Sequence, residues 1–432
     1  MTDDAEDAPS RRPRRLLGLT RDGRLLFGTR IVRLFAYGCL SVVLALYLAS
    51  VGLRETQIGL LLTLTLLGDT LISLWITTSA DRVGRRRMLV VGALLMVFAG
   101  VVFALTGDFV LLVVAATIGV VSPSGNEVGP FLPIEQAALS QTLHDERRTQ
   151  VFAWYNLVGS FATASGALVG GTLVQGLQRA GVAELPSYRV VVVGYALMGL
   201  VLVGLFTRLS AAAEAPAAAL PGNRRSLFGL HRSRGVVLRL AALFSLDAFA
   251  GGLVLQSLVA YWFHIRFGVE PAMLGGIFFG ANILAGLSAL SAARVAERIG
   301  LINTMVLTHL PSNVLLMLVP LMPDLPWAIG VLLLRFSISQ MDVPTRQSYT
   351  MAVVDPDERS TAAGLTGIAR TIGTSFAPLV AAPLLANPAL LSVPFFLAGG
   401  LKIVYDVALY RSFRALSPPE EEHLAKTPPT AG

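Results

Sequence analysis

The sequence is poor in charged residues. Only 14% of its 432 residues are Asp, Glu, Lys or Arg, whereas a soluble domain carries about 25%. Hydrophobic residues make up 54% of the chain, and the mean hydropathy is +0.67. Most of the folded surface is therefore expected to face lipid, and the composition predicts a polytopic membrane protein rather than a soluble domain.

Cysteine and histidine are also scarce. The single cysteine, Cys39, lies in an apolar run, and the five histidines are scattered. These counts exclude a disulfide framework, a cysteine-ligated zinc site and an iron–sulfur cluster, so no metal or other cofactor is expected. The sequence has no phosphate-binding GxxxxGKS/T loop, nucleophile elbow or HExxH motif, so no enzyme activity is expected.

Apolar runs long enough to cross about 30 Å of hydrocarbon, roughly 20 residues each, recur twelve times. They cover residues 31–51, 57–79, 87–107, 109–140, 150–175, 188–208, 238–264, 272–293, 300–322, 326–352, 361–385 and 390–412. The predicted fold is an all-α membrane protein with two six-helix bundles. The predicted divisions are a tail at 1–23, bundles at 24–209 and 236–414, a linker at 210–235 and a tail at 415–432.

The positions of Lys and Arg orient the predicted spans. With both termini in the cytoplasm, 25 of the 34 basic residues fall on cytoplasmic segments, five lie within spans and four are external. This bias follows the positive-inside rule. It explains the net charge of +7 without nucleic acid, and it predicts a multi-pass protein of the inner or plasma membrane with no cleaved signal peptide in residues 1–16.

The second half repeats the first at an offset of 211 to 216 residues. Phe35-Ala36-Tyr37-Gly38 matches Phe249-Ala250-Gly251-Gly252, and five further matches follow in the same order. Ordered matches indicate duplication, and a duplicated six-helix bundle is typical of transporters that rock two halves about a central site.

The loop Asp81-Arg82-Val83-Gly84-Arg85-Arg86-Arg87 is similar to the signature G-x-x-x-D-R-x-G-R-R of the major facilitator superfamily, with Thr77 in place of the leading Gly. Residues 24–412 resemble that superfamily. The resemblance implies a latch between the halves that stabilises the outward-facing state. Its residues would be Asp81, Arg82, Gly84, Arg85, Arg86 and, in the second half, Glu297 and Arg298.

Small residues recur in the fifth and eleventh spans. Gly166, Gly170 and Gly171 resemble the G-P-x-x-G-G signature of the superfamily's antiporters, with Ala167 in place of Pro. Gly373 and Pro378 stand at equivalent positions of the eleventh span. Such spacing lets helix backbones approach closely, and the resemblance implies helix packing at a gate.

Ionisable groups within spans are costly and usually face a cavity. The fourth span, with two Pro and two Gly between Ser122 and Pro130, is predicted to be kinked where it lines a cavity. Acids predominate in the first half and arginines in the second, and Arg335 and Arg346 are expected to share a face. Asp69 and Glu127 are the predicted proton carriers. The candidate substrate residues are Tyr37, Asn126, Glu135, Asn156, Asp247, Asn282, Arg335, Asp342, Arg346 and Arg370.

A second interpretation of these charges is that they neutralise one another and fix the packing, as Asp342 and Arg346 would at i,i+4. The favoured function is a monomeric, proton-coupled secondary transporter of a small organic solute, most simply an efflux antiporter in the lipid bilayer. The alternatives are proton symport of an anionic metabolite, a non-transporting receptor on the same scaffold, and lipid translocation.

Overall fold

A computed structural model of the chain describes residues 19–127, 129–141, 148–214, 232–355 and 358–414. Both predicted tails lie largely outside these residues, as do most of the linker and the side chain of Asp81. The described part is all-helical. Its α-helices are α1 (Arg21–Ser50), α2 (Glu55–Val83), α3 (Arg85–Leu105), α4 (Phe109–Ile118), α5 (Phe131–Gln141), α6 (Arg148–Arg179), α7 (Glu184–Phe206), α8 (Arg234–Gly252), α9 (Gln256–Phe267), α10 (Pro271–Ile299), α11 (Leu301–Leu318), α12 (Leu325–Ile338), α13 (Asp342–Ala352), α14 (Arg359–Leu385) and α15 (Val393–Phe413).

The helices account for twelve spans. Within the described residues, ten segments are long and apolar enough to cross a membrane, one of them formed by α8 and α9 together. The other two spans are each made of two short helices, α4 with α5 and α12 with α13. The twelve-helix fold predicted from the sequence is therefore confirmed.

Three spans are broken near their middle. The fourth is interrupted between Ile118 and Phe131, as its Pro and Gly content predicts, and the tenth between Ile338 and Asp342. The seventh is interrupted between Gly252 and Gln256, a break that was not predicted from the sequence. Two adjacent glycines end α8 there, and glycine is a poor helix former.

The first helix begins earlier than predicted. The apolar run starts at residue 31, whereas α1 begins at Arg21. Its first turns carry Asp22, Arg30 and Arg33, all of which are buried. A hydropathy criterion excludes such residues from a span, but each has hydrogen-bond partners on other segments inside the bundle.

Each half packs around its own first helix. In the first half, α1 contacts α6 and α7, α3 contacts α7, and α2 contacts α4. In the second, α8 contacts α14 and α15, and α11 contacts α15. The halves meet where α2 packs on α14, α6 on α10, and α1 on α9.

The two ends of the bundle differ. We call the end where α1 begins and α15 ends the terminal end, and the end that holds the turn between α1 and α2 the distal end. Hydrogen bonds between the halves join Tyr261 to Glu55 (3.1 Å), Gln256 to Ser41 (2.8 Å) and the Ser257 N–H to the Pro123 carbonyl (3.1 Å). The second-half donors lie on α9, in the distal portion of its span, so the distal end is closed.

Candidate functional site

Two buried networks of charged side chains lie inside the bundle, one in each half. In the first half, Arg33 of α1 is fully buried. Its two terminal nitrogens donate to the two carboxylate oxygens of Glu135 at 2.8 and 2.7 Å, and its Nε donates to Glu127 at 2.7 Å. A bidentate pair fixes both planar groups in one orientation. Arg33 is thus the centre of the first network.

Glu135 is as deeply buried as Arg33. Besides Arg33, it accepts hydrogen bonds from Thr29 Oγ1 at 2.7 Å and from the Tyr155 hydroxyl at 2.5 Å. A carboxylate out of contact with water is tolerated only when it is paired and hydrogen-bonded. These contacts satisfy both carboxylate oxygens and tie α5 to α1 and α6.

Glu127 forms the more accessible edge of the same network. Its side chain is 15% exposed, and its second oxygen accepts a bond from Arg30 at 2.9 Å. Arg30 also donates to Asn156 Oδ1 at 3.2 Å and lies over the Tyr155 ring, 4.3 Å from its centre. Rearrangement of the network would therefore be easiest at the pair formed by Glu127 and Arg30.

The interruption of the fourth span places Glu127. Gly125 and Gly129 have φ angles of +69° and +81°, a region that favours glycine, and Pro123 lies within the same segment. The Ser122 hydroxyl closes a local turn onto the Asn126 carbonyl at 2.8 Å. The resulting non-helical segment carries Glu127 to Arg30 and Arg33.

The second network has a carboxylate at its centre. Asp247 of α8 accepts from Lys402 at 2.5 Å, Arg346 at 3.1 Å and Arg370 at 3.3 Å. The three cations come from α15, α13 and α14. The side chain of Arg370 is 34% exposed and that of Asp247 5%, so Arg370 is the accessible edge of this network.

Further side chains extend the second network. Asp342 and Arg346 form the predicted i,i+4 ion pair at 3.0 Å, which is confirmed. Asp406 bonds His309 Nδ1 at 2.8 Å and accepts from Asn313 at 2.9 Å. His309 Nε2 lies 3.9 Å from Asp247, so this group joins the same centre.

Charges are compensated within each half. Acids were expected to predominate in the first half and arginines in the second, and that expectation is wrong. Arg30 and Arg33 pair with the first-half acids, and Asp247 and Asp342 pair with the second-half arginines.

The two centres occupy equivalent positions of the repeat. Arg33 and Asp247 lie 214 residues apart, the offset that relates Phe35 to Phe249. At 1.5 Å per residue, Arg33 lies about 18 Å from the start of α1 and Asp247 about 20 Å from the start of α8. The duplicated scaffold therefore holds opposite charges at one position and one depth.

Asp69 is a buried acid outside the two networks. It lies midway along α2, is 7% exposed and accepts a weak hydrogen bond from Ser73 at 3.4 Å. The backbone N–H of Gly129 also bonds to it. No Lys, Arg or His forms an ion pair with Asp69 among the described residues, so its charge is balanced only by hydrogen bonds.

Three other predicted substrate residues are Tyr37, Asn126 and Arg335. Tyr37 is buried and stacks on Tyr195, with ring centres 6.3 Å apart, whereas Asn126 is exposed. Arg335 lies on α12 and Arg346 on α13, on either side of the break, and Arg335 interacts electrostatically with Asp342 and Asp247, the two partners of Arg346. The Nε of Arg335 has no hydrogen-bond partner in the described part of the chain.

Asn282 belongs to a chain of amides between the halves. Its Nδ2 donates to Gln256 Oε1 at 3.3 Å, and Gln256 donates in turn to Ser41 at 2.8 Å. Asn282 and Gln256 belong to the second half and Ser41 to the first. The chain therefore contributes to closure on the distal side.

The predicted latch residues of the first half lie where α2 ends and α3 begins. Glu214, at the end of the described linker segment, accepts from the backbone N–H groups of Arg85 (2.6 Å) and Arg86 (3.3 Å). Gly84 has φ +114° between α2 and α3, and Arg82 is exposed. A carboxylate at a helix N-terminus satisfies free N–H groups and interacts favourably with the helix dipole.

The second-half counterpart of this loop has a similar backbone. Glu297 and Arg298 end α10 and are exposed, and Gly300 follows them with φ +86°. Glu358 accepts from the N–H groups at the start of α8, as Glu214 does at α3. A carboxylate therefore caps one helix at the terminal end in each half.

Small residues bring helix backbones into contact. A Cβ atom at Gly166 would overlap the Phe35 carbonyl of α1, and one at Gly170 would lie 2.7 Å from the Cys39 carbonyl. A Cβ at Gly171 would instead overlap the carbonyl of Pro271 on α10. One face of α6 therefore packs within the first half while the adjacent face seals the contact between the halves.

The equivalent helix of the second half uses the same geometry. A Cβ at Gly373 would overlap the Ser245 carbonyl of α8. Pro378 faces the other half, where a Cβ at Gly59 of α2 would lie 2.6 Å from its carbonyl oxygen. These contacts join α14 to both α8 and α2.

Eight side chains of the two networks were not among the predicted site residues: Thr29, Arg30, Arg33, Tyr155, His309, Asn313, Lys402 and Asp406. Arg33 lay within a predicted span and matched Asp247 at the repeat offset, a signal that could have identified it. Arg30 fell one residue outside the apolar run, and Tyr155 resembled an interface anchor. Nothing in the sequence around His309 distinguishes it from a core histidine.

The arrangement can hold, exchange and release ion pairs at mid-depth. Among the described residues, no group of three or more His, Cys, Asp or Glu side chains is arranged to hold a metal ion. Rearrangement of charge pairs, rather than covalent chemistry, is what these side chains can perform.

Known structures share the fold. A crystal structure of a mutant of the nucleoside transporter NupG gives a TM-score of 0.72 at 14% identity, with 91% of this chain and all of that chain covered. A crystal structure of a D-xylose–proton symporter gives 0.70 at 15% identity, with 93% and 98% covered. Identities this low support similarity of fold alone.

Sequence comparison extends the relationship. An uncharacterized membrane protein of Saccharomyces cerevisiae strain S288c, YJR124C, is 30% identical over 419 residues, covering 90% of this chain and 93% of its own. The model of the Major Facilitator Superfamily matches residues 26–378. The chain therefore belongs to the major facilitator superfamily of membrane transporters.

Proposed function

We propose that this protein is a proton-coupled secondary active transporter of a small organic solute that works by alternating access. The observation that carries the proposal is Asp69, a buried acid in mid-span without an ion-pair partner among the described residues. Four acids of the two networks, in contrast, each pair with an arginine: Glu127, Glu135, Asp247 and Asp342. A carboxyl group in such a place can take up and release a proton without breaking a salt bridge. Glu127, at the accessible edge of the first network, is the second candidate.

The distribution of contacts supports alternating access. The halves are hydrogen-bonded toward the distal end. The excess of Lys and Arg on the segments of the terminal end supports a cytoplasmic location for that end. With this orientation the structure corresponds to an inward-facing state, and rocking of the two bundles would open the distal side.

The networks supply the proposed substrate contacts. Asn156 and Arg370 lie at their edges, next to Arg30 and Asp247 respectively. Hydrogen-bonding and charged groups at one depth on both halves could bind one solute between them, in a monomer. The latch around Arg85 and Arg86 would engage only in the other state.

Efflux by proton antiport is the favoured mode. The contacts of Gly166, Gly170 and Gly171 support it, because this run resembles the antiporter signature and packs α6 tightly against α1 and α10. Antiport requires that the solute and the proton do not cross the membrane in the same step. A tightly packed gate prevents such joint passage.

Proton symport of an anionic solute is the alternative. Arg370 is 34% exposed, and Arg335 has an unpartnered Nε among the described residues. Two guanidinium groups with free bonding capacity suit a carboxylate or phosphate. The plasma membrane is the proposed location for either mode.

A thermal-shift screen of the purified protein against metabolites and drugs would identify a ligand, because binding to the folded state raises the melting temperature. Transport of that ligand would then be measured in proteoliposomes with a pH gradient of either sign. Antiport predicts accumulation only when the lumen is acidic, and symport only when the external medium is acidic. Accumulation that does not depend on the pH gradient of either sign would refute proton coupling.

A further inference from the structure

A cavity lies at the distal end, away from both charged networks. Its volume is about 280 Å³. The first half contributes Gln175, Gln178, Glu184 and Tyr188, and the second half contributes His264 and the turn from Gly268 to Pro271, including Glu270. The cavity therefore spans the contact between the two bundles.

Several hydrogen-bond donors of the lining already have acceptors. The Gln178 amide donates to Ser187 at 3.1 Å, and the Tyr188 hydroxyl lies 3.4 Å from Glu184. His264 Nδ1 bonds the Val269 carbonyl at 3.0 Å. These donors are already engaged, and neither Lys nor Arg is among the side chains that line the cavity.

One acceptor is both buried and unsatisfied. Gln175 is 8% exposed, and its Oε1 has no hydrogen-bond partner among the described residues. A buried acceptor left unpaired costs about 1 to 3 kcal/mol. The carboxylates of Glu184 and Glu270 open onto the same cavity. Glu270 has one partner, Arg179 at 3.5 Å, but both side chains of this pair are more than 60% exposed.

We propose that this distal cavity binds a small organic cation that carries an ammonium group. The ammonium would donate hydrogen bonds to Gln175 Oε1 and to the Glu184 carboxylate, and Glu270 would attract a second positive charge. An acid pair alone would also attract inorganic ions at a surface. The buried amide oxygen favours a ligand that enters the cavity and offers several N–H donors.

Binding here would act on the conformational equilibrium. Because α6 and α7 line one wall and α9 and α10 line the other, opening of the distal end separates the walls. A ligand that contacts both walls binds the present state more tightly than the open one and shifts the population toward it. An amine on the distal side would therefore slow turnover without entering the central site.

The test uses putrescine, a linear diamine, with the purified full-length protein. We expect putrescine to raise the melting temperature of the wild type in a saturable way. Glu184→Gln and Gln175→Leu should each weaken the apparent Kd by about tenfold or more, the effect of losing one hydrogen bond to a charged group. Glu184 is exposed, so its substitution does not threaten folding.

Asp324→Asn is the matched control. Asp324 is an acid at the distal end outside the cavity that caps α12 through the Trp327 N–H, and asparagine caps a helix equally well. This variant loses the same charge and should bind putrescine as the wild type does. Succinate, an anion of similar length, should give no shift.

Three results would overturn the proposal. They are the absence of a putrescine shift in the wild type, a putrescine shift in Glu184→Gln and Gln175→Leu equal to that of the wild type, and a shift with succinate as large as that with putrescine. None of these measurements depends on transport. The distal cavity and the proton-coupled mechanism can therefore fail independently.

Discussion

The two halves share one scaffold but differ in the charge at its centre. In the first half a cation, Arg33, is held by two carboxylates. In the second half an anion, Asp247, occupies the equivalent position and is held by three cations. Each bundle thus has a buried ionic centre at the same depth, but the charge of the central residue differs in sign between the two halves.

The difference extends to accessibility. Glu127, the accessible carboxylate of the first network, is 15% exposed, whereas Arg370 in the second is 34% exposed. The charge pair of Arg370 with Asp247 is therefore the more accessible of the two to solvent or solute. Variants in the two networks can test this contrast.

The largest expected effect is the loss of Arg33. Arg33→Met would leave the buried Glu135 without its cation, whereas Glu127 would keep Arg30. Breaking such a buried pair costs about 3 to 5 kcal/mol of unfolding free energy. The melting temperature should fall steeply. A double-mutant cycle with Glu135→Met provides the control, because the double variant should be more stable than additivity of the single variants predicts.

Loss of the second centre should cost less. Asp247→Asn keeps a polar group among Lys402, Arg346 and Arg370, and Arg346 retains Asp342. We expect a loss of about 3 kcal/mol, at the lower end of the range for a broken buried pair. Chemical denaturation of both variants measures the contrast, and a larger loss for Asp247→Asn than for Arg33→Met would contradict it.

The contact between the halves can be tested separately from the networks. Gly171→Ala places a methyl group against the Pro271 carbonyl, an overpacking of about 1 to 3 kcal/mol that should widen the distal end. Spin labels on Ala180→Cys and Arg266→Cys would report a longer distance. Gly176→Ala, on the same helix with open space around it, should leave the distance unchanged.

The two carboxylate caps offer a smaller comparison. Glu214→Ala and Glu358→Ala each remove the acceptor for two backbone N–H groups at a helix start. Each should lower stability by about 1 kcal/mol, the usual value of a helix cap. A loss near zero for Glu214→Ala, measured by thermal unfolding, would show that the linker segment does not stabilise α3.

The smallest effect on stability is expected at Asp69. Asp69→Asn removes an acid without an ion-pair partner in the described part of the chain and keeps a group that can accept from Ser73 and Gly129. The melting temperature should change little, by the equivalent of about 0.5 kcal/mol or less. A loss as large as that of Arg33→Met would indicate a structural cation partner and would contradict the proposed role.

Much of the fold could be predicted from the sequence, because each span needs a long apolar run and the repeat fixes the number of spans. The break near Gly252 and the early start of α1 could not. The early start of α1 depends on contacts with the fourth span, which keep Arg30 and Arg33 out of lipid. The break follows two adjacent glycines, which also occur inside intact helices such as α6. A hydropathy scale evaluates each residue without its contacts to other helices.

The candidate site was predictable only in part. Asp342 and Arg346 pair through local helix geometry, so their spacing predicted the contact. Arg33 and Glu135 lie 102 residues apart and meet only through packing of α1 on α5. Because one sequence gives no information on such long-range pairs, the acids were identified without their partners.

The most direct test of the central claim is proton coupling in Asp69→Asn. With an identified ligand in proteoliposomes, the account predicts that the variant loses accumulation driven by a pH gradient but retains exchange of labelled for unlabelled ligand in the absence of a gradient. That result would separate proton uptake from solute binding. Full gradient-driven accumulation by Asp69→Asn would contradict the assignment of the proton to this buried acid.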